Sequence, residues 1–218
     1  MADKPIIFSA PMVNALLAGR KTQTRRVLKV QPPEPCEFAG FYSVPLSGAF
    51  QCRFQGDTTI YTQRLPYAPG DRLWVRETWT ARMTHGWTIS DARSRMFDEE
   101  ILYRADGHDS LDGWWSSIHM PREFSRLTLT VTDVRVQRLG EISAADSIAE
   151  GVQCGTCEFM NTSACNGRGC FASIAAFQAL WNSLHGPDAW EANPWVAAYS
   201  FTVQRGNIDS LTTRKENA

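Results

Sequence analysis

The segment Leu127-Thr128-Leu129-Thr130-Val131-Thr132-Asp133-Val134-Arg135-Val136 alternates apolar side chains with threonines over its first six positions. That period of two belongs to a strand with one covered face and one wet face. The phase then slips to Val134 and Val136, which predicts a bulge near Asp133. A half-covered strand needs partners, and the rest of the chain supplies them. Trp195, Ala197, Tyr199, Phe201 and Val203 are also spaced by two and read as the last strand. Pro5-Ile6-Ile7-Phe8 reads as a short first strand. Pro69-Gly70-Asp71 reads as a turn into the strand Leu73-Trp74-Val75-Arg76-Glu77.

Helical patterns sit between these strands. Ser9 is placed to cap a helix with Pro11 in its first turn, Met12, Val13, Leu16 and Leu17 on its apolar face and Gly19 as its stop. Ser143 and Asp146 form a capping-box-like start to a second helix, which Gly151 ends. Ile174, Phe177, Leu180, Trp181 and Leu184 share one face of a third. Residues 31–70 hold six of the 11 prolines and read as irregular and loop-rich, with room for one hairpin. Residues 80–120 read as a long excursion, and the polar residues 206–218 as a disordered tail. The expected architecture is a single α+β domain over residues 1–205, a small β-barrel with flanking helices.

Composition narrows the class. Of the 218 residues, 43% are hydrophobic and 21% charged, ordinary values for a globular chain. No run of eighteen apolar residues occurs, and the start of the sequence lacks a basic-then-apolar leader, so a cytoplasmic protein is expected. The net charge of −1 gives no sign of a general polyanion binder. The local distribution does. Arg20, Lys21, Arg25, Arg26 and Lys29 form a basic run without an acid, which fits either a phosphate-binding patch or a solvated charged turn.

Four of the 6 cysteines are clustered as Cys154, Cys157, Cys165 and Cys170. Four thiolates match tetrahedral zinc, and Gly155, Gly167 and Gly169 allow the tight turns such a loop needs. With no open coordination position, the zinc would be structural and would order a polar insertion over residues 153–171. Without an export signal, metal binding is favoured over a disulfide framework. Cys36 and Cys52 stand apart, with no role legible in the sequence.

The basic run lies inside Gly19-Arg20-Lys21-Thr22-Gln23-Thr24-Arg25-Arg26. This stretch resembles the ASCH domains of the PUA-like superfamily, whose motif it matches at Gly19, Lys21 and Arg26. It departs at Thr24, where glutamate is common. With threonine there, it is similar to the bacterial amidohydrolases that deacetylate N4-acetylcytidine. Pro69 to Val75, Leu139 to Glu150 and Trp195 to Phe201 look like later parts of the same superfamily, and the register places its catalytic glutamate on Glu150. Gly70 to Glu77, His119-Met120-Pro121-Arg122 and Asn193-Pro194-Trp195-Val196 resemble a longer group found in phage and prophage genomes. Residues 31–65, 80–115 and 153–170 are not covered.

The resemblance implies a PUA-like barrel acting on nucleic acid or modified nucleosides in a bacterial or phage-infected cell. It implies Lys21, Thr24 and Glu150 as catalytic residues, with Arg25, Arg26, Trp74, Arg76, His119 and Arg122 as substrate contacts. The chemistry is coherent. A lysine near a threonine hydroxyl lowers the cost of an alkoxide, or serves as the base when desolvated. Glu150 orients the lysine or moves a proton to a leaving amine, and Arg26 holds a carbonyl oxygen, phosphate or base edge.

Two other readings stand beside the amidohydrolase: a non-catalytic binder of RNA or modified DNA, and a ribonuclease. Trp114 and Trp115 fit either base stacking or core packing. No Ser-His-Asp triad and no phosphate-cradling glycine loop is evident.

Overall fold

The structure, a computed structural model, describes residues 2–42, 46–54, 57–81, 88–94, 101–108, 113–153 and 171–211. The chain is α+β and mostly sheet. The single domain expected over residues 1–205 divides into two compact units. One comprises residues 1–19, 71–130 and 202–218, and the other residues 20–70 and 131–201.

In the first unit, β1 (Asp3–Ile7) pairs in parallel with β6 (Arg72–Arg76), and β6 pairs antiparallel with the start of β9 (Leu127–Arg138). Helix α1 (Ala10–Leu17) buries Val13, Ala15 and Leu16 and ends at Gly19, whose φ of 70° suits a residue without a side chain. Ser9 stands at its N-cap, yet its side chain makes no capping hydrogen bond.

The excursion over residues 80–120 is a packed sub-core. The strands β7 (Trp79–Ala81) and β8 (Ile101–Tyr103) pair antiparallel. The short helix α2 (Ile89–Arg93) is capped by Thr88 and contributes the buried Ala92. Trp79 lies at the centre of the cluster with Ala81, Ala92, Met120 and Phe124.

In the second unit, the order is β9, β10 (Trp195–Arg205) and β2 (Gln23–Val27). The β2–β10 register is antiparallel and sets Thr24 opposite Tyr199 and Arg25 opposite Ala198. Burial along β9 follows the sequence pattern. Leu127, Leu129, Val131, Val134 and Val136 are buried, and the phase slips across the exposed pair Thr132 and Asp133.

Helix α3 (Ala144–Ala149) begins at Ser143, whose side chain accepts the Asp146 N–H. It packs against α4 (Phe171–His185), where Phe177 and Trp181 join Leu139, Ile142 and Val196 in a core. Leu184, placed on that apolar face by spacing alone, is instead 48% exposed near the helix end.

Two sequence expectations are corrected here. Within residues 31–70, β3 (Cys36–Tyr42), β4 (Ser47–Phe54) and β5 (Asp57–Arg64) form a three-stranded antiparallel sheet rather than the irregular stretch expected from the sequence. The prolines misled because Pro32, Pro33, Pro35, Pro66 and Pro69 all fall outside the strands, where a missing N–H costs no ladder bond. Cys36 and Cys52 face each other across β3 and β4 and form a disulfide.

The second correction concerns the polar tail, which is ordered at its start. Ile208 is fully buried, and Asn207 donates from its amide to the carbonyls of Arg122, Glu123 and Ser125. Among the described residues, no helix is long and apolar enough to cross a membrane.

Candidate functional site

Gly19 ends α1, and the chain continues as Arg20-Lys21-Thr22 alongside the end of α3. Thr22 donates its N–H to the Ala149 carbonyl, Arg20 donates to the Gly151 carbonyl, and Lys21 bridges to Glu150. Helix α3 stops where its sequence says it should. Glu150 is the C-cap, and Gly151 takes a φ of 89° that a side chain would disfavour. These two local stops bring a lysine and a glutamate 129 positions apart into contact.

Both side chains are buried, with Lys21 1% and Glu150 5% exposed. The Lys21 Nζ donates to Glu150 Oε2 at 2.8 Å and to the Glu150 carbonyl oxygen at 2.9 Å. Burial disfavours the ammonium and takes Lys21 below its ordinary range. Glu150 opposes that pull, while Arg26 and Arg25 add to it.

The other carboxylate oxygen, Oε1, accepts from Arg25 Nη1 at 3.0 Å. Arg25, expected from the sequence as a substrate contact, is therefore turned inward and is 4% exposed. The period of β2 explains this. Gln23 and Arg25 share one face and meet α3, while Thr24 and Arg26 share the other.

Arg25 Nη1 also donates to Gln23 Oε1 at 2.5 Å. Its Nη2 lies 3.2 Å from Asp146 Oδ2 without hydrogen-bond geometry, and its Nε is buried without a hydrogen-bond partner. Asp146 is held more firmly elsewhere, by Arg135 Nη2 at 2.7 Å, Gln23 Nε2 at 3.2 Å and the Ser143 hydroxyl region at the helix start. Burial raises the Asp146 carboxyl, but the Arg135 hydrogen bond, the Arg25 charge and Ser143 outweigh it and take it down to about 2.

The result is a chain of alternating charge: Lys21, Glu150, Arg25, Asp146, Arg135. Buried ions persist only when paired and hydrogen-bonded, and this sequence of contacts meets that need.

The opposite face of β2 has a different character. Thr24 is buried opposite Tyr199, and none of the hydrogen bonds of Gln23 or Arg25 reaches it. The rings of Tyr67 and Tyr199 meet edge-on at 5.1 Å. The Tyr199 hydroxyl faces the Tyr67 backbone without a hydrogen bond of ordinary geometry. Burial pushes both phenols up, with the Arg26 charge pulling the other way. His185, at the end of α4, is lowered first by desolvation and then by Arg26.

The remaining sequence candidates lie in the other compact unit. Trp74 is half-buried under the Arg76 guanidinium, 5.3 Å from its ring centre. His119 is exposed on a short turn. Arg122 is not an open phosphate ligand, because it is paired with Asp3 and Asp209, each at 2.6 Å. Trp115 packs on Trp79 at 4.6 Å and is partly buried against that cluster. Cys154, Cys157, Cys165 and Cys170 lie outside the described residues.

Sequence reasoning placed Asp146 only as a helix-start residue and missed its part in the charge chain. It read no role into Gln23 or Tyr67. Nothing local signals these roles, since Asp146 and Arg25 lie 121 positions apart in the chain and meet only through the pairing of β2 with its neighbours. Comparisons of this chain with family models, with curated proteins and with solved structures give no match.

Proposed function

We propose that this chain is an amidohydrolase that removes an acyl group from N4-modified cytosine, as nucleoside or within nucleic acid, on a PUA-like barrel of the ASCH type. The observation that carries the reading is the buried Lys21–Glu150 pair, three residues before the buried Thr24. Desolvation takes the Lys21 ammonium below its ordinary range, the direction that favours a general base.

In this reading, neutral Lys21 takes the proton of the Thr24 hydroxyl or of a water as that oxygen attacks the acyl carbon. The carbon–nitrogen bond breaks, and the lysine returns the proton to the departing amine. Where Thr24 is the nucleophile, a water then hydrolyses the acyl-threonine ester, freeing the carboxylate and restoring the hydroxyl; where water attacks, the carboxylate leaves directly. Glu150 keeps Lys21 in place, and Arg26 supports the negative charge that develops on the acyl oxygen.

The competing binding-module reading loses its main support. Lys21 and Arg25 are turned inward, so the basic run is not a continuous surface patch for phosphates. The zinc lobe on Cys154, Cys157, Cys165 and Cys170 remains part of the proposal on ligand type and spacing. So does a location in the cytoplasm of a bacterial or phage-infected cell.

The test is chromatographic. Purified full-length protein is incubated with N4-acetylcytidine and with an RNA containing it, and cytidine and acetate are measured. Wild type should release both, while Lys21→Met and Thr24→Ala should not. Absence of release by the wild type from either substrate would overturn the reading.

A further inference from the structure

Arg25 has no counterpart in the chemistry so far. It is buried, it shares one carboxylate with Lys21, and its far end meets a second carboxylate that is better held by others. The electrostatics of that arrangement are specific. Glu150 offers one negative charge to two cations, Lys21 at Oε2 and Arg25 at Oε1. In a dry environment each cation's hold weakens the other's. Asp146 competes for Arg25 from its other side, at 3.2 Å and without hydrogen-bond geometry.

We propose that Arg25 is a positioning residue that divides the Glu150 carboxylate with Lys21, and that Asp146, by drawing on Arg25, sets how that division falls. The inference rests on the reading of Lys21 and Glu150 as the working pair of the site.

Among the described residues, the charged groups facing Lys21 come from three elements. Helix α3 brings Glu150 and Asp146, β2 brings Arg25 and Arg26, and β9 brings Arg135 against Asp146. Helix α4 carries no charged residue before His185 at its last position. β10 faces β2 with the uncharged residues Val196 to Ser200.

The signs follow. Removing the charge of Arg25 frees Glu150 Oε1 from its contact with Arg25, so Lys21 holds its proton more tightly. Neutralising Asp146 releases Arg25 toward Glu150, so Lys21 holds its proton less tightly. A general loosening of the site would act differently. It would admit water, and both substitutions would move Lys21 upward toward its ordinary range.

The chain is well suited to a direct measurement, because its lysines are Lys4, Lys21, Lys29 and Lys215 alone. Full-length protein labelled with 13C,15N-lysine is titrated by NMR, and Lys21→Arg assigns the Lys21 signal. Arg25→Gln should raise the proton affinity of Lys21 roughly tenfold and Asp146→Asn should lower it by a comparable factor, the scale expected for a charge partner at contact distance. Asp146→Glu, which keeps the charge, should restore the wild-type titration.

In the Arg25→Gln background, Asp146→Asn should have little further effect. An equal effect in both backgrounds would mean that Asp146 acts without Arg25, and the proposal falls. It also falls if Asp146→Asn moves Lys21 upward, a result that decides the matter even where Arg25→Gln does not fold. These readouts need no substrate. An absence of deacylase activity therefore defeats the functional reading without touching the relay, and a wrong sign at Lys21 does the reverse.

Discussion

Lys21 Nζ bonds to Glu150 twice, at 2.8 Å to the carboxylate and at 2.9 Å to the main-chain carbonyl. One residue thus supplies both the charge and the anchor for a buried ammonium. Glu150→Gln keeps the carbonyl and loses the charge. Breaking a buried pair in this way should cost about 3 kcal/mol near neutral pH. Burial already takes the Lys21 pKa below its unfolded value, and loss of Glu150 removes the main force opposing that fall. The unfolded state then binds the proton more readily than the folded one, so stability rises with pH across that window. Urea denaturation of wild type and Glu150→Gln at about pH 6 and about pH 9 should show the deficit shrinking as pH rises. A deficit that grows with pH contradicts this account.

Asp146 predicts an acid response of opposite sign. Its carboxyl is brought from 3.8 down to about 2, against the upward push of burial, by Arg135, Arg25 and Ser143. Its contribution is fully present above the unfolded value and is lost as pH falls through the folded one. The amount at stake is about 2 kcal/mol. Arg135→Gln should bring the acid-unfolding midpoint to higher pH, measured by tryptophan fluorescence. An unchanged midpoint would show that Arg135 does not hold Asp146.

Arg122 should behave as a structural residue. Its guanidinium spans Asp3 and Asp209 in a partly exposed cluster that also contains Arg72. Arg122→Ala should lower stability by about 1 kcal/mol or less, with the loss reduced at high salt. RNA affinity, read by filter binding, should not change. A clear fall in affinity would return Arg122 to the list of phosphate contacts.

The Cys36–Cys52 disulfide closes a span of 16 positions across the β3–β4 hairpin. A loop of that size corresponds to about 3 kcal/mol of stabilisation. Cys52→Ser, or reduction of the wild type, should lower the thermal midpoint by a matching amount. Such bonds are scarce in reducing compartments, so the test uses folded protein oxidised in air, in which Cys36 and Cys52 both freely reactive would contradict the bond.

The cysteine cluster predicts a metal. Protein purified without added zinc should contain about one equivalent, held by Cys154, Cys157, Cys165 and Cys170. Cys157→Ser should lose it while leaving the β-structure signal in circular dichroism unchanged. Four freely reactive thiols and no metal would remove the zinc lobe from the description.

The sequence by itself determined the periodic elements. The alternation in β9, the existence of strand β10, the stops at Gly19 and Gly151 and the capping of α3 by Ser143 all appear in the structure, because each depends on neighbours within a few residues; β10 departs from its alternation, since Trp195 to Tyr199 are all buried. It also pointed to Lys21 and Glu150, through a motif rather than through any local rule. The β3–β5 sheet escaped notice because Pro32, Pro33 and Pro35 just before β3 and Pro66 and Pro69 just after β5 made the whole stretch read as irregular.

Which way Arg25 points was decided only by tertiary structure. One residue of register in β2 separates Arg25, held by Glu150 and Asp146, from Arg26 on the other face, and strand pairing with β10 sets that register. Whether a basic run is a surface for phosphate or the inside of an ion network therefore depends on partners more than a hundred residues away. Propensity and composition do not encode such partners.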